Sequence, residues 1–243
     1  MNKVIVCPPI YNEKNKVKSV IERFLQSKAY QKVDYLIVDD ASTDGTSEVI
    51  QGYEKSGVKT IRHPQRRGVG GAIKTAMTYA LEQGYEILVI MAGNDKDDPN
   101  QILDVAGPVL NGECDFVQGS RYLKKQEHFG DMPFYRRIAT KIHPWLMSFI
   151  TRHKVTDSTN GFRAMRASLF KDPRIDWHQD WLDTYELEPY LLYKTIVLGY
   201  KYKEVPVTKI YPPRQTGYTK MAAVTGWWSI LRPLIYLGLG LKK

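Results

Sequence analysis

The chain has 243 residues, enough for one large α/β domain or two small ones. Apolar residues make up 43% and charged residues 25%, which sets disorder aside as the default reading. Lys and Arg number 35 against 26 Asp and Glu, and the resulting charge of +9 suits anionic partners: nucleotides, lipid phosphates or a membrane surface. A nucleic-acid partner would rest on charge alone, because no recognition motif accompanies it. The two cysteines, Cys7 and Cys114, lie in apolar runs and read as small core residues, as expected in a reducing cytosol. The first residues lack the apolar stretch and cleavage site of a signal peptide, so a cytoplasmic location is expected.

Short apolar runs at Val4–Cys7, Tyr35–Val38, Val58–Ile61, Ile87–Met91 and Cys114–Val117 read as strands. Between them, Val17–Leu25, Thr46–Tyr53, Gly70–Leu81 and Gln101–Leu110 carry helical spacing. This alternation predicts an α/β fold with a mostly parallel sheet covered by helices on both faces. Phe134–Ile150 and Trp181–Leu198 read as further helices, and Tyr202–Ile210 alternates like a strand. Residues 221–243 form an apolar C-terminal segment with Arg232-Pro233 in its middle. Its length is marginal for a membrane span, and the Arg-Pro pair argues against one. Trp227, Trp228 and Tyr236 suit an amphipathic helix at a membrane interface; packing on the domain, or between copies in a homo-oligomer, is the other reading.

Ligands of parallel sheets bind beyond the carboxyl ends of the strands. The first strand runs into Pro8-Pro9-Ile10-Tyr11-Asn12-Glu13, where a ring and a carboxylate could meet a flat base. The second ends in Asp39-Asp40-Ala41-Ser42-Thr43-Asp44-Gly45-Thr46, whose adjacent carboxylates repel unless something uses them. The fourth ends in Asn94-Asp95-Lys96-Asp97-Asp98-Pro99, a set of oxygens that a hard cation favours. The glycine-rich Arg66–Gly71 stretch reads as a loop near the same edge, with a phosphate cradle as one reading.

These motifs, with Gly119-Ser120-Arg121-Tyr122 and Gly161-Phe162-Arg163, resemble those of glycosyltransferase family 2 in the same order. Glu204-Val205-Pro206 and the Arg214–Lys220 stretch resemble the branch containing dolichol-phosphate mannosyltransferase and polyprenyl-phosphate glycosyltransferases. The resemblance implies a GT-A fold over residues 1–220, a nucleotide-diphosphate sugar donor and an inverting transfer. It also implies site roles: Pro9, Tyr11, Glu13 and Asp40 at the base or ribose, Arg121 near phosphate, and Arg214 and Lys220 on the leaving group. Asn94 and Lys96 are expected to face the donor as well.

The chain departs from the family at its metal signature. The Asp-x-Asp positions are occupied by Ala92, Gly93 and Asn94. Either Asn94, Asp95 and Asp97 hold Mg²⁺ or Mn²⁺ in a shifted register, or Lys96 supplies the charge itself. The first is the expectation, because carboxylates beside a diphosphate repel it without a cation. The Glu-Asp base motif and the Gln-x-x-Arg-Trp motif of many sugar-acceptor members are not evident. Asp157, Asp183, Glu186 and Glu188 are the acidic candidates for a base, and Asp157, Arg121 and Arg163 are the expected catalytic set. A lipid phosphate needs no base, so a polyprenyl phosphate is the expected acceptor, with Arg121, Arg136, Arg137 and Arg163 on its phosphate. A saccharide-acceptor enzyme and an inactive nucleotide-sugar-binding protein are the rivals; a nucleotidyltransferase would need glycines that Pro8–Glu13 lacks.

Overall fold

The strands are short, so each must be buried on both faces to hold its place. In β1 (Val4–Cys7), Ile5 and Cys7 enter one apolar cluster while Val4 and Val6 enter another. The same alternation recurs in β3 (Asp34–Asp39) and β5 (Ile87–Ile90). Two cores therefore lie on opposite sides of one sheet. The computed structural model describes residues 3–124, 129–213 and 225–242.

The sheet has eight strands. Its order is β4 (Val58–Arg62), β3, β1, β5, β7 (Arg163–Arg166), β6 (Phe116–Ser120) and β8 (Tyr202–Pro206). The two-residue β2 (Pro9–Ile10) prolongs the line of β1 and pairs with Val38 and Asp39. All pairings are parallel except the two made by β7, which runs against both β5 and β6. This is the mostly parallel GT-A sheet that the strand pattern and the family resemblance lead one to expect.

One face is covered by α1 (Lys14–Leu25), α2 (Thr46–Gln51) and α4 (Ile102–Leu110). In α1, Val17, Val20, Ile21 and Phe24 are buried at helical spacing, and Phe24 stacks on Tyr35 with ring centroids 3.9 Å apart. The other face takes α3 (Gly68–Glu82), α5 (Phe134–Thr151), α6 (Leu187–Val197) and α7 (Thr225–Gly238). Among the described residues no helix is long and apolar enough to cross a membrane. Both cysteines are free and buried, and burial pushes the Cys7 thiol up to about 12.

Three elements differ from expectation. The helix expected from Trp181 begins at Leu187, because Asp183 pairs with Lys74 and Thr184 donates to Glu186, turning the preceding segment toward α3. The last strand stops at Pro206, which has no N–H to continue a ladder. Strand β7 is absent from the sequence reading: arginines at both its ends hide a buried strand.

Helix α5 is amphipathic in an unusual sense. Thr140, His143, Pro144 and Met147 face inward, while Phe134, Ile138, Ile142, Trp145 and Phe149 form an exposed stripe. Helix α7 packs against it and against α6, burying Leu234 and Leu237. Arg232 pairs with Glu186, and Tyr236 meets the edge of Trp181. Trp228 and Ile235 stay exposed.

His143 ties these parts together, with Nδ1 2.6 Å from Ser158 Oγ and Nε2 3.0 Å from the Ile230 carbonyl. Burial pushes its imidazole down to about 4. The unfolded chain binds that proton near 6.5, so stability from the neutral ring is complete above that value and is lost as pH falls toward 4. Between pH 7 and 4.5 this group is expected to cost about 2–3 kcal/mol. Urea denaturation of the protein and of His143→Gln at both pH values measures it as the difference in slope.

Candidate active site

An open cavity of about 280 Å³ lies beyond the carboxyl ends of β1, β3, β5 and β6. Among the described residues it is lined by six cations (Arg66, Lys96, Arg121, Arg136, Arg163 and Lys209) and three carboxylates (Glu13, Asp40 and Glu188). The excess is positive, and the mouth suits an anion.

The first strand end delivers Pro9, Tyr11 and Glu13 to the cavity. Arg66 lies over the Tyr11 ring, 4.2 Å from its centroid, so an extended cationic and aromatic surface faces the opening. Glu13 accepts from Lys16 at 3.0 Å. The second strand end turns its carboxylates inward. Asp39 accepts from the Ser42 N–H at 3.0 Å and from the Ser47 hydroxyl. Asp40 accepts from the N–H groups of Arg67 and Gly68, at 2.7 and 2.8 Å, and pairs with His63 at 2.8 Å. The two adjacent acids are therefore used by the fold. The same bonds correct the phosphate-cradle reading of the glycine-rich loop, since two of its N–H groups are spent on Asp40. Its Gly70 is there for packing: a Cβ would sit 2.1 Å from the Leu182 carbonyl oxygen.

The loop after β5 corrects the expected cation site. Asn94 and Lys96 line the cavity; Asp95, Asp97 and Asp98 do not. Asp95, at φ 61°, turns to α1, where Ser19 donates at 2.7 Å and Arg23 pairs with it. Asp97 is buried, accepting from Lys209 at 2.6 Å and from the Ala92 N–H at 2.7 Å. Asp98 accepts from the Asn100 N–H at 3.0 Å. Asn94, Asp95 and Asp97 thus point to three different places, and among the described residues no group of three or more His, Cys, Asp or Glu is placed to hold a metal. Asn94 Oδ1 is buried without a partner, and Gly93 lets the loop approach β2, since a Cβ would lie 2.3 Å from the Pro9 carbonyl oxygen.

Arg121, at the end of β6, and Asp157 form a fully buried bidentate pair, both contacts at 2.7 Å. Burial alone would raise the Asp157 carboxyl, but the Arg121 charge and hydrogen bonds outweigh it and hold the group below the usual range. Such a carboxylate is a poor proton acceptor near neutrality, so Asp157 positions Arg121 and is not placed as a base. It also does not pair with Arg163. That guanidinium, buried at the start of β7, donates to the carbonyls of Glu188 and Asn160 and lies 3.3 Å from the Glu188 carboxylate. The remaining base candidates are engaged too: Asp183 with Lys74, and Glu186 with Arg232. Arg137 is exposed on α5, and Arg214 and Lys220 lie outside the described residues.

Three contributors, Tyr211, Lys209 and Lys16, escaped the sequence reading, and a fourth, Glu204, was read there only as part of a motif. Glu204 accepts from the N–H groups of Thr156 and Asp157, at 2.9 and 3.1 Å, and so fixes the turn that carries Asp157. The Tyr211 hydroxyl accepts from Arg121 at 3.1 Å, and its ring lies 5.0 Å from Lys96 Nζ and 5.6 Å from the Arg136 guanidinium. Lys209 is held by Asp97 and Asn160. Lys16 completes the set from α1. Burial, then the nearby Lys209, Arg136 and Lys16, push the Lys96 ammonium down to about 7.

Comparison with known proteins agrees with this geometry. The family model described as "Glycosyl transferase family 2" matches residues 5–173. A UDP-N-acetylglucosamine–dolichyl-phosphate N-acetylglucosaminyltransferase of Methanococcus voltae is 30% identical over 67% of this chain and 69% of its own length. An undecaprenyl-phosphate mannosyltransferase of Micrococcus luteus is 28% identical over 90% of this chain and 88% of its own. Among solved structures, a glucosyl-3-phosphoglycerate synthase of Mycobacterium tuberculosis, in complex with Mn²⁺, UDP and glucosyl-3-phosphoglycerate, superposes with a TM-score of 0.65. At 18% identity over 99% of this chain and 81% of that one, the likeness shows the fold.

Removing one half of the buried pair strands the other. Arg121→Met is expected to lose about 3–5 kcal/mol of stability at pH 7. The pair's contribution is complete above the ordinary carboxyl range and is lost as pH falls through the lowered Asp157 value, so the deficit shrinks in acid. Urea denaturation across pH checks both, and Arg121→Met/Asp157→Leu is expected to recover much of the loss.

Proposed function

This chain belongs to glycosyl transferase family 2 and is a nucleotide-sugar-dependent glycosyltransferase, and on that premise we propose that it transfers the sugar, with inversion, to a polyprenyl phosphate at a membrane surface. One observation carries the choice of acceptor. Among the described residues, each carboxylate that lines the cavity is already held: Glu13 by Lys16, Asp40 by three donors, and Glu188 by Arg163. A sugar hydroxyl needs a base to take its proton, whereas a phosphate oxygen arrives as an anion. The two relatives named for dolichyl-phosphate and undecaprenyl-phosphate support the same reading.

The donor base lies against Pro9 and Tyr11, with Glu13 and Asp40 at the same wall. Asn94 lies at the same wall. Lys96 and Arg121 face the diphosphate. Arg136 and Arg163 hold the acceptor phosphate. An acceptor oxygen attacks the anomeric carbon on the face opposite the diphosphate. The new bond joins that carbon to the lipid phosphate, the old carbon–oxygen bond breaks, and its electron pair leaves on the nucleoside diphosphate. The cations stabilise that developing charge.

The exposed face of α5 supports a lipid surface as the place of work. Phe134, Ile138, Ile142, Trp145 and Phe149 share it with the exposed Arg137 and Lys141, a pairing of apolar and basic groups that suits an anionic bilayer. Arg136 and Thr140, on the other side of the same helix, line the cavity. A peripheral position on the cytoplasmic face of the membrane follows from this reading.

Incubation with labelled nucleotide sugars is expected to give label on short polyprenyl phosphates and none above background on saccharides; the opposite preference overturns the proposal. Sedimentation with vesicles of acidic phospholipid provides an independent check. Trp145→Ser/Phe149→Ser is expected to weaken vesicle binding about 10-fold or more while leaving the unfolding free energy from urea denaturation within about 0.5 kcal/mol.

A further inference from the structure

We infer that the Lys96 ammonium, backed by Lys209 and Arg136, does the work of the divalent cation, so that this protein holds the donor diphosphate without a metal ion. The inference rests on the donor-site reading above and deepens it. The family's metal positions are taken by Ala92 and Asn94, neither of which carries a charge. The acids that follow are turned away: Asp95 to Arg23, Asp97 to Lys209, and Asp98 to the Asn100 N–H. What the loop brings to the cavity is one uncharged amide side chain, Asn94, and one ammonium, Lys96. A Mg²⁺ or Mn²⁺ ion takes about six ligands, mostly oxygens, and carboxylates are the usual protein contribution. The residues present do not fit that demand.

They fit a phosphate instead. Lys96 is 6% exposed, and its backbone is fixed by the Ile210 N–H on its carbonyl at 3.0 Å. Its Nζ lies over the face of Tyr211, as does the Arg136 guanidinium from the α5 side. Lys209 is buried beside them, held between Asp97 and Asn160. Gathering three cations in a partly desolvated pocket is costly in the ligand-free protein. An incoming diphosphate offsets that repulsion with charge-assisted hydrogen bonds, and a second, doubly charged cation would add to it. Lys96 is therefore the residue through which the loop after β5 meets the leaving-group charge.

Calorimetric titration of the full chain with UDP, GDP and dTDP, in EDTA and then in Mn²⁺, tests this directly. The expected result is binding of at least one nucleotide in EDTA, with a Kd changed by less than about threefold when Mn²⁺ replaces EDTA. Lys96→Met is expected to weaken that binding about 10- to 100-fold, with no recovery in Mn²⁺. Thermal unfolding of Lys96→Met separates this from misfolding: a folded variant with weakened nucleotide binding is expected, and a folded variant that binds like the parent overturns the inference. Nucleotide binding that requires Mn²⁺ overturns this inference and leaves the glycosyltransferase reading intact. Absence of binding in both conditions overturns the donor site and the inference together.

Discussion

Like charges crowd the carboxyl edge of the sheet, and much of the surrounding architecture serves to hold them there. Arg121 is kept by Asp157, Arg163 by Glu188 and two carbonyls, Lys209 by Asp97, and Lys16 by Glu13. Apart from the local Lys16–Glu13 pair, each pairing joins residues distant in sequence, so most of the cationic wall stands only when the elements have come together. Asp157 depends in turn on Glu204 of β8, which binds the N–H groups of the turn before it. Acids that might have served chemistry are consumed in this way. Under the proposed reading, the fold trades proton acceptors for fixed positive charge, and an anionic nucleophile suits such a site.

The alternating half of the fold was legible because its signals are local. Val4–Cys7 is bounded as expected, and β3, β4 and β5 differ from their apolar runs by one or two residues. Buried parallel strands announce themselves as continuous apolar runs. Strand β7 does not, because its first residue is an arginine whose charge is met by partners distant in sequence. Its reversal also matters for the site. Running against its neighbours, β7 brings its amino end, with Arg163 and the turn from Thr156 to Asn160, to the edge where the parallel strands finish. A search confined to carboxyl ends of strands passes over that contribution.

Side-chain direction was the other quantity beyond reach. Four of the five positions of the Asn94–Asp98 segment carry the oxygens of a cation site, yet the loop disperses its carboxylates among α1, Lys209 and its own backbone. Composition counts ligands without aiming them. Lys209 and Tyr211 escaped for a related reason: alternation over Tyr202–Ile210 announces a strand, but not the isolated bridges, Asp97 to Lys209 and Gly130 to Tyr211, that bring them to the cavity. The Arg121–Asp157 pair had both members named in advance, but its partnership is a fact of three dimensions.

Helix α5 stands between two environments, with Arg136 and Thr140 on the cavity and the apolar stripe on the far side. A helix with its side chains is about 10–12 Å across. Under the proposed reading, that thickness is the whole distance a lipid headgroup must rise to reach the reacting centre. A polyprenyl chain many times longer than this keeps most of its isoprene units in the bilayer during transfer. The protein then measures only the phosphate and the first few carbons, and total tail length becomes a property that the membrane reads and the enzyme ignores.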